Sequence, residues 1–131
     1  MTDGSVATTI HFAVPPRWRL AATVVDSGDG VVVTLFGGDH PHVGATVIAV
    51  PRPSLEHPTR ISATSTVMPL IGHKDDVFAR PVAEALAARL GVVVVVVSGV
   101  HIDSARPEEL EALLEAAPRL AAELAEVVEQ K

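Results

Sequence analysis

The sequence predicts an α+β domain: an antiparallel-rich sheet of about six strands with helices packed against it. Three observations lead there. The first half of the chain alternates apolar and polar residues in short segments separated by glycine- and proline-bearing turns. Six consecutive valines, residues 92–97, then stand between two stretches with helical spacing. Hydrophobic residues make up 48% of the 131-residue chain, yet aromatics are only 3%, so valine, alanine and leucine must fill the core.

The strands follow in order. Residues 8–14 alternate Ile10, Phe12 and Val14 with Thr9, His11 and Ala13. Segments 18–26 and 31–36 flank SGDG (27–30), whose glycines suit a tight turn, and the pair reads as a β-hairpin. A fourth strand covers 43–50. Three prolines then assign PRPSLEHP (51–58) to a loop. A fifth strand covers 61–67, with Ile61, Ala63, Ser65 and Val67 on one face. The valine run is apolar at every position, the signature of a strand buried on both faces, so it is expected at the centre of the sheet, covered above and below.

Two helices complete the set. In 77–90, Val82, Leu86 and Leu90 share a face and Gly91 supplies the stop. Pro81 requires that helix to begin near Val77, or to begin near Lys74 and kink. The second helix runs over 107–129, with Pro107 at its first position. Leu110, Leu113 and Leu114 form one apolar stripe and Leu120, Leu124 and Val127 another; Pro118 between them is expected to break or bend it. With no repeats or linkers, residues 1–131 read as a single domain with an ordered core of about 8–129.

Composition excludes several functions. Without cysteine there are no disulfides, thiolate metal sites or cysteine nucleophile. A formal charge of −6 argues against non-specific nucleic-acid binding. No apolar run reaches the roughly 18–20 residues of a membrane span. The start, MTDGSVATT, lacks the pattern of a signal peptide, and a cytoplasmic protein is expected.

Chemistry concentrates in three clusters, each opened by glycine and each at an element end: FGGDHPHVGA (36–45), GHKDD (72–76) and SGVHIDSA (98–105). His40 and His42 are one residue apart, so extended backbone points both the same way, although Asp39 and either histidine serve equally well as turn formers. In the second cluster Asp75 and Asp76 complement a helix dipole. Alternatively, Gly72, His73 and Lys74 at a helix start face an anionic group such as phosphate. In the third, His101 and Asp103 share a face, and Ser104 is placed to cap the last helix. Three such loops point to one shared site, and His11 and His57 are left outside it. No GxSxG or HExxH motif occurs, and no catalytic residue is assigned.

Taken in this order and spacing, the three clusters resemble the prenylated-flavin chaperone family typified by LpdD, over nearly the whole chain. The resemblance implies a fold similar to proteasome assembly chaperones, commonly dimeric. It also implies a non-enzymatic role: binding prenylated FMN and assisting its delivery to a UbiD-type decarboxylase. The matching positions are Gly38, Asp39, His42 and Gly44; Gly72, His73, Lys74 and Asp76; and Gly99, His101 and Asp103, with His40 grouped among them as cofactor-binding. Lys74, Arg60 and glycine N–H groups are the candidates for the phosphate, directly or through a divalent metal on His42, His73 and His101. Two other functions fit the residues. One is a small metal-dependent hydrolase or lyase using His40, His42, His73 and His101. The other is a protein assembly chaperone with no small-molecule ligand.

Overall fold

A computed structural model describes residues 7–70 and 76–130. In chain order the elements are β1 (Ala7–Val14), β2 (Trp18–Asp26), β3 (Gly30–Gly38), β4 (Ala45–Pro53), β5 (Ile61–Pro69), α1 (Asp76–Leu90), β6 (Val93–His101) and α2 (Pro107–Glu129). The six strands form one sheet in the order β1-β2-β3-β6-β4-β5. Every neighbouring pair is antiparallel except β3 and β6, which run parallel from Gly30↔Val93 to Gly38↔His101.

The valine strand is central, as its composition requires, lying between β3 and β4. Its expected cover on both faces is not what the described residues provide. Both helices lie on one side of the sheet. There Val94 and Val96 are fully buried beside Val31, Val33, Leu35, Val47 and Ala49. Leu86 from α1 and Leu120 and Leu124 from α2 close that layer, and the buried indole of Trp18 donates from Nε1 to the carbonyl of Glu109 at 2.9 Å. Among the described residues the opposite side carries no helix. Val93 remains 40% exposed, and Val95 and Val97 are only half-buried. Around them are Ala21, Thr23 and Val25 of β2, Val32, Thr34 and Phe36 of β3, and Thr46, Ile48 and Val50 of β4, none of them buried.

The other departures from expectation have local causes. β4 continues to Pro53 although prolines were expected to end it at residue 50. It pairs with β6 only over Ala45–Ala49, so Pro51 and Pro53 lie where one edge of the strand has no partner. A missing N–H is tolerated at such an edge. β3 and β6 each run on to the glycine and histidine that were expected to belong to loops. Helix α1 begins at Asp76 and contains Pro81, and Gly91, at φ +68, ends it with its N–H on the carbonyl of Ala87. Helix α2 is not broken at Pro118. Its buried face is continuous through Leu113, Ala117, Leu120, Ala121, Leu124 and Ala125, and packing along that face holds the helix through the lost hydrogen bond. Leu110 and Leu114, expected in the apolar stripe, are 46% and 38% exposed; Glu109 takes the inward position instead.

Candidate functional site

The first and third clusters meet at one end of the sheet. The parallel pairing of β3 with β6 delivers Gly38 beside His101, and the chain leaving β3 then folds back over the end of β6. The N–H groups of Asp39 and His40 both donate to the carbonyl of His101, at 2.6 and 3.3 Å, and that of Gly44 donates to Ser98 at 2.8 Å. Two glycines make this approach possible. A Cβ on Gly38, whose φ is +81, would collide with the carbonyl of His101, and one on Gly99 would coincide with the carbonyl of His42. The glycines that open the clusters are therefore there for backbone contact with each other's loop.

Side chains complete the arrangement. His40 Nε2 donates to Asp103 Oδ2 at 3.0 Å, and His101 Nε2 lies 3.4 Å from Oδ1 of the same carboxylate. The rings of His40 and His101 have centroids 5.6 Å apart, and the His42 ring meets His101 edge-on at 6.4 Å. His42 Nδ1 donates to the carbonyl of His40 at 2.9 Å. Asp39 turns inward: its carboxylate accepts the N–H of Asp103 at 3.0 Å, which ties the two loops together. The hydrogen bond from His40 is the main influence holding the Asp103 carboxyl below its ordinary range, with His101 adding to it. His40, His101 and Asp103 are 63%, 50% and 65% exposed, so a ligand can reach all three.

Sequence reasoning missed Arg17. Its guanidinium forms a bidentate pair with Glu109, Nε to Oε2 at 2.7 Å and the terminal nitrogen to Oε1 at 2.8 Å. The same group donates to the carbonyls of Asp103 at 3.2 Å and Ser104 at 3.5 Å. Glu109 in turn accepts the N–H of Arg106 at 3.0 Å, which fastens the start of α2. Arg106, and not Ser104, is the N-cap residue, and Ser104 instead adopts φ 49 in the turn. Arg17 and Glu109 thus hold the third loop from behind. No local pattern announces an arginine that works at a distance of 92 residues.

Gly72, His73, Lys74 and Asp75 lie outside the described residues, and of Asp76 only its place at the start of α1 is described. Leu70, the last described residue before them, donates its N–H to Gly44 at 2.8 Å, at the histidine-bearing end of the sheet. Arg60 lies elsewhere: it precedes β5 at Ile61, whereas it is Pro69 at the other end of that strand that pairs with Ala45. Among the described residues no group of three or more His, Asp or Glu side chains is arranged to hold a metal ion, so the divalent metal has no support there. Trp18 is 2% exposed in the core and is not a platform for a ligand ring.

What the site can do follows from these groups. Two imidazoles and a carboxylate offer donors and acceptors to the polar edge of a ligand. Beside them, Phe36 pairs with Gly99 and shares its open face with Val97, forming an apolar floor. Residues 15–129 match the family model described as the prenylated flavin chaperone LpdD-like domain. No curated protein matches the chain. Among solved structures it is similar to a chain from the crystal structure of a novel chaperone complex for yeast 20S proteasome assembly. The identity there is 16%, covering 92% of this chain and 96% of that one, with a TM-score of 0.59. At that identity the likeness shows a shared fold, here a mixed six-stranded sheet with two helices on it. With the family model spanning β2 to the end of α2, the chain belongs to the LpdD-like prenylated flavin chaperone family.

Proposed function

We propose that this chaperone binds prenylated FMN without turning it over and assists its delivery to a UbiD-type decarboxylase, acting in the cytoplasm as a homodimer. The observation that carries the reading is the exposed His40–Asp103–His101 cluster at the border of an apolar sheet face. A flavin ring system needs both: an apolar surface under its faces, and donors and acceptors along its edge. Phe36 and Val97 suit the first need, and the imidazoles with Asp103 the second. The phosphate is assigned to Lys74 and the N–H groups of Gly72 and His73. The hydrogen bond between Leu70 and Gly44 supports this, because it ties the start of that segment to the loop bearing His42.

The test is anaerobic titration of the purified protein with prenylated FMN, followed by flavin absorbance because the Trp18 indole is buried in the core. Saturable binding is expected. Lys74→Ala should weaken it by roughly 1.5–3 kcal/mol, the scale of a charge-assisted hydrogen bond, while leaving the melting temperature nearly unchanged. Absence of saturable binding by protein shown to be folded would refute the flavin reading. Equal affinity for wild type and Lys74→Ala would discard the phosphate assignment and leave the ring site standing.

A further inference from the structure

We infer that the free edge of β5 is a docking site for an extended segment of a partner protein, which adds to the sheet as a further strand beside α1. The inference is independent of the flavin reading and uses no residue of the histidine site.

The first argument concerns backbone groups. β5 is an edge strand. Antiparallel ladders alternate residue pairs that exchange both hydrogen bonds with pairs that exchange none. Just beyond the two ends of the β4–β5 ladder, the N–H of Leu70 donates to Gly44 and that of Ser54 donates to Arg60, both at 2.8 Å. Alternate pairs inward from either end are then the bonded ones, and both ends select the same set: Thr46↔Met68, Ile48↔Thr66, Val50↔Thr64 and Arg52↔Ser62. Pro51, Pro53 and Pro69, which have no N–H to give, all fall on the unbonded pairs. Ala63, Ser65 and Val67 therefore turn both N–H and C=O to the outer edge, at intervals of about 6.8 Å. Among the described residues no side chain or backbone group meets them there.

The second argument is the lack of protection. Sheets guard such edges with charge, proline, a bulge or a covering group. β1, the other edge, is met by Arg119 of α2, which donates to the Ala13 carbonyl at 3.4 Å. On β5, residues 61–68 are uncharged, contain no proline and pair with β4 in unbroken register. A row of alternating donors and acceptors at strand spacing is matched by another extended chain.

The third argument concerns what the segment carries. Ser65 Oγ donates to Glu84 Oε2 at 2.9 Å, so α1 walls the edge on the helix side. Arg80 and Val77 precede Glu84 at helical spacing, share its flank and are exposed. Among the described residues Arg80 has no ion pair. The fitting segment is uncharged except for an acidic residue within reach of Arg80, with an apolar neighbour for Val77. A second copy of β5 fits poorly. Pairing Ala63, Ser65 and Val67 with their own images centres the two-fold axis on Ser65 and sets Glu84 against Glu84, a like-charge contact.

The experiment is an NMR titration of the isotopically labelled protein with a short acetylated peptide of alternating valine and threonine that carries one glutamate, up to millimolar concentration. Saturable binding is expected, with amide hydrogen exchange slowed at Ala63, Ser65 and Val67, whereas Thr64 and Thr66 exchange slowly from the start. Ser65→Pro removes the central outer donor but no bond to β4, so that variant should stay folded and lose the binding. Arg80→Glu should weaken binding several-fold, and it decides the matter alone should Ser65→Pro not fold. Absence of saturable shifts at millimolar peptide overturns the inference. So does binding that survives these variants, or that leaves exchange at Ala63, Ser65 and Val67 unchanged. Slower exchange of those amides on raising protein concentration without peptide would give the edge to a second copy and overturn the partner assignment.

Discussion

Replacing Gly99 by alanine should dislodge the histidine loop without touching the core. The new methyl group would occupy the position of the His42 carbonyl, whose own nitrogen is only 3.0 Å away. Restoring ordinary contact requires the loop to withdraw by about 2 Å, since carbon contacts settle near 3.5–4.0 Å. That movement strains the hydrogen bond from Gly44 to Ser98 and the one from Asp39 to His101. Overpacking costs about 1–3 kcal/mol, and the loss of one such hydrogen bond, about 1 kcal/mol net, lies inside that range. At about 2.1 cal/mol/K of unfolding entropy per residue, the melting temperature should fall by roughly 4–11 °C. The assay is calorimetric melting paired with imidazole NMR, in which the His42 and His101 signals should both shift. Gly28→Ala is the control: Gly28 has φ +102 but nothing within 4 Å, so only backbone strain enters and those signals should stay in place. A Gly99→Ala protein with wild-type melting and unmoved histidine signals would refute the close crossing of the two loops.

Two further outcomes are expected. Val96→Asp places an unpaired carboxylate at a fully buried position and should cost several kcal/mol, about the whole stability of a small domain, whereas Val95→Thr on the open face should cost under ~1 kcal/mol in the monomer; equal losses in denaturant titration would contradict one-sided cover. Glu109 has its carboxyl lowered to about 2, first by the Arg17 side chain and then by the Arg106 N–H. Because that value lies below its unfolded one, the pair's stabilisation is complete above the ordinary carboxylate range and is lost as pH falls toward about 2. The difference in melting temperature between wild type and Arg17→Ala should therefore shrink across that interval, and a constant difference would show that Glu109 is not the group responsible.

Where the information was local, the fold was legible from the sequence. Phe12 and Val14 alternate with exposed neighbours, and the hairpin through SGDG pairs Asp26 with Val31 as a tight turn requires. The valine run announced the central strand correctly, and its error about cover has a physical origin. An apolar run reports that no position is polar, and it does not report which face the helices reach. Pro51 and Pro53 misled because one edge of β4 has no partner where they stand, and Pro118 because packing along α2 outweighs its lost hydrogen bond; only pairing and packing decide either case. Of the site, glycine beside histidine was a usable signal, since close backbone crossing demands glycine on both strands. Arg17 and Glu109 gave none. Their pairing joins the turn before β2 to the first turn of α2, and neither neighbourhood looks unusual alone.

The position of β6 bears on how the protein is made. β3 and β4 follow one another in the chain but are separated in the sheet by β6, the last strand to be synthesised. Until it emerges, β1–β3 can pair as one antiparallel unit and β4–β5 as another, each with a bare inner edge. Joining them requires contacts between parts of the chain far apart in sequence, which is slow, and the nascent protein is open to aggregation during that interval. The same event creates the histidine site, because His101 and Asp103 arrive with β6 while His40 and His42 wait at the end of β3. A half-made chain therefore cannot assemble the histidine cluster, which exists only once the sheet is complete.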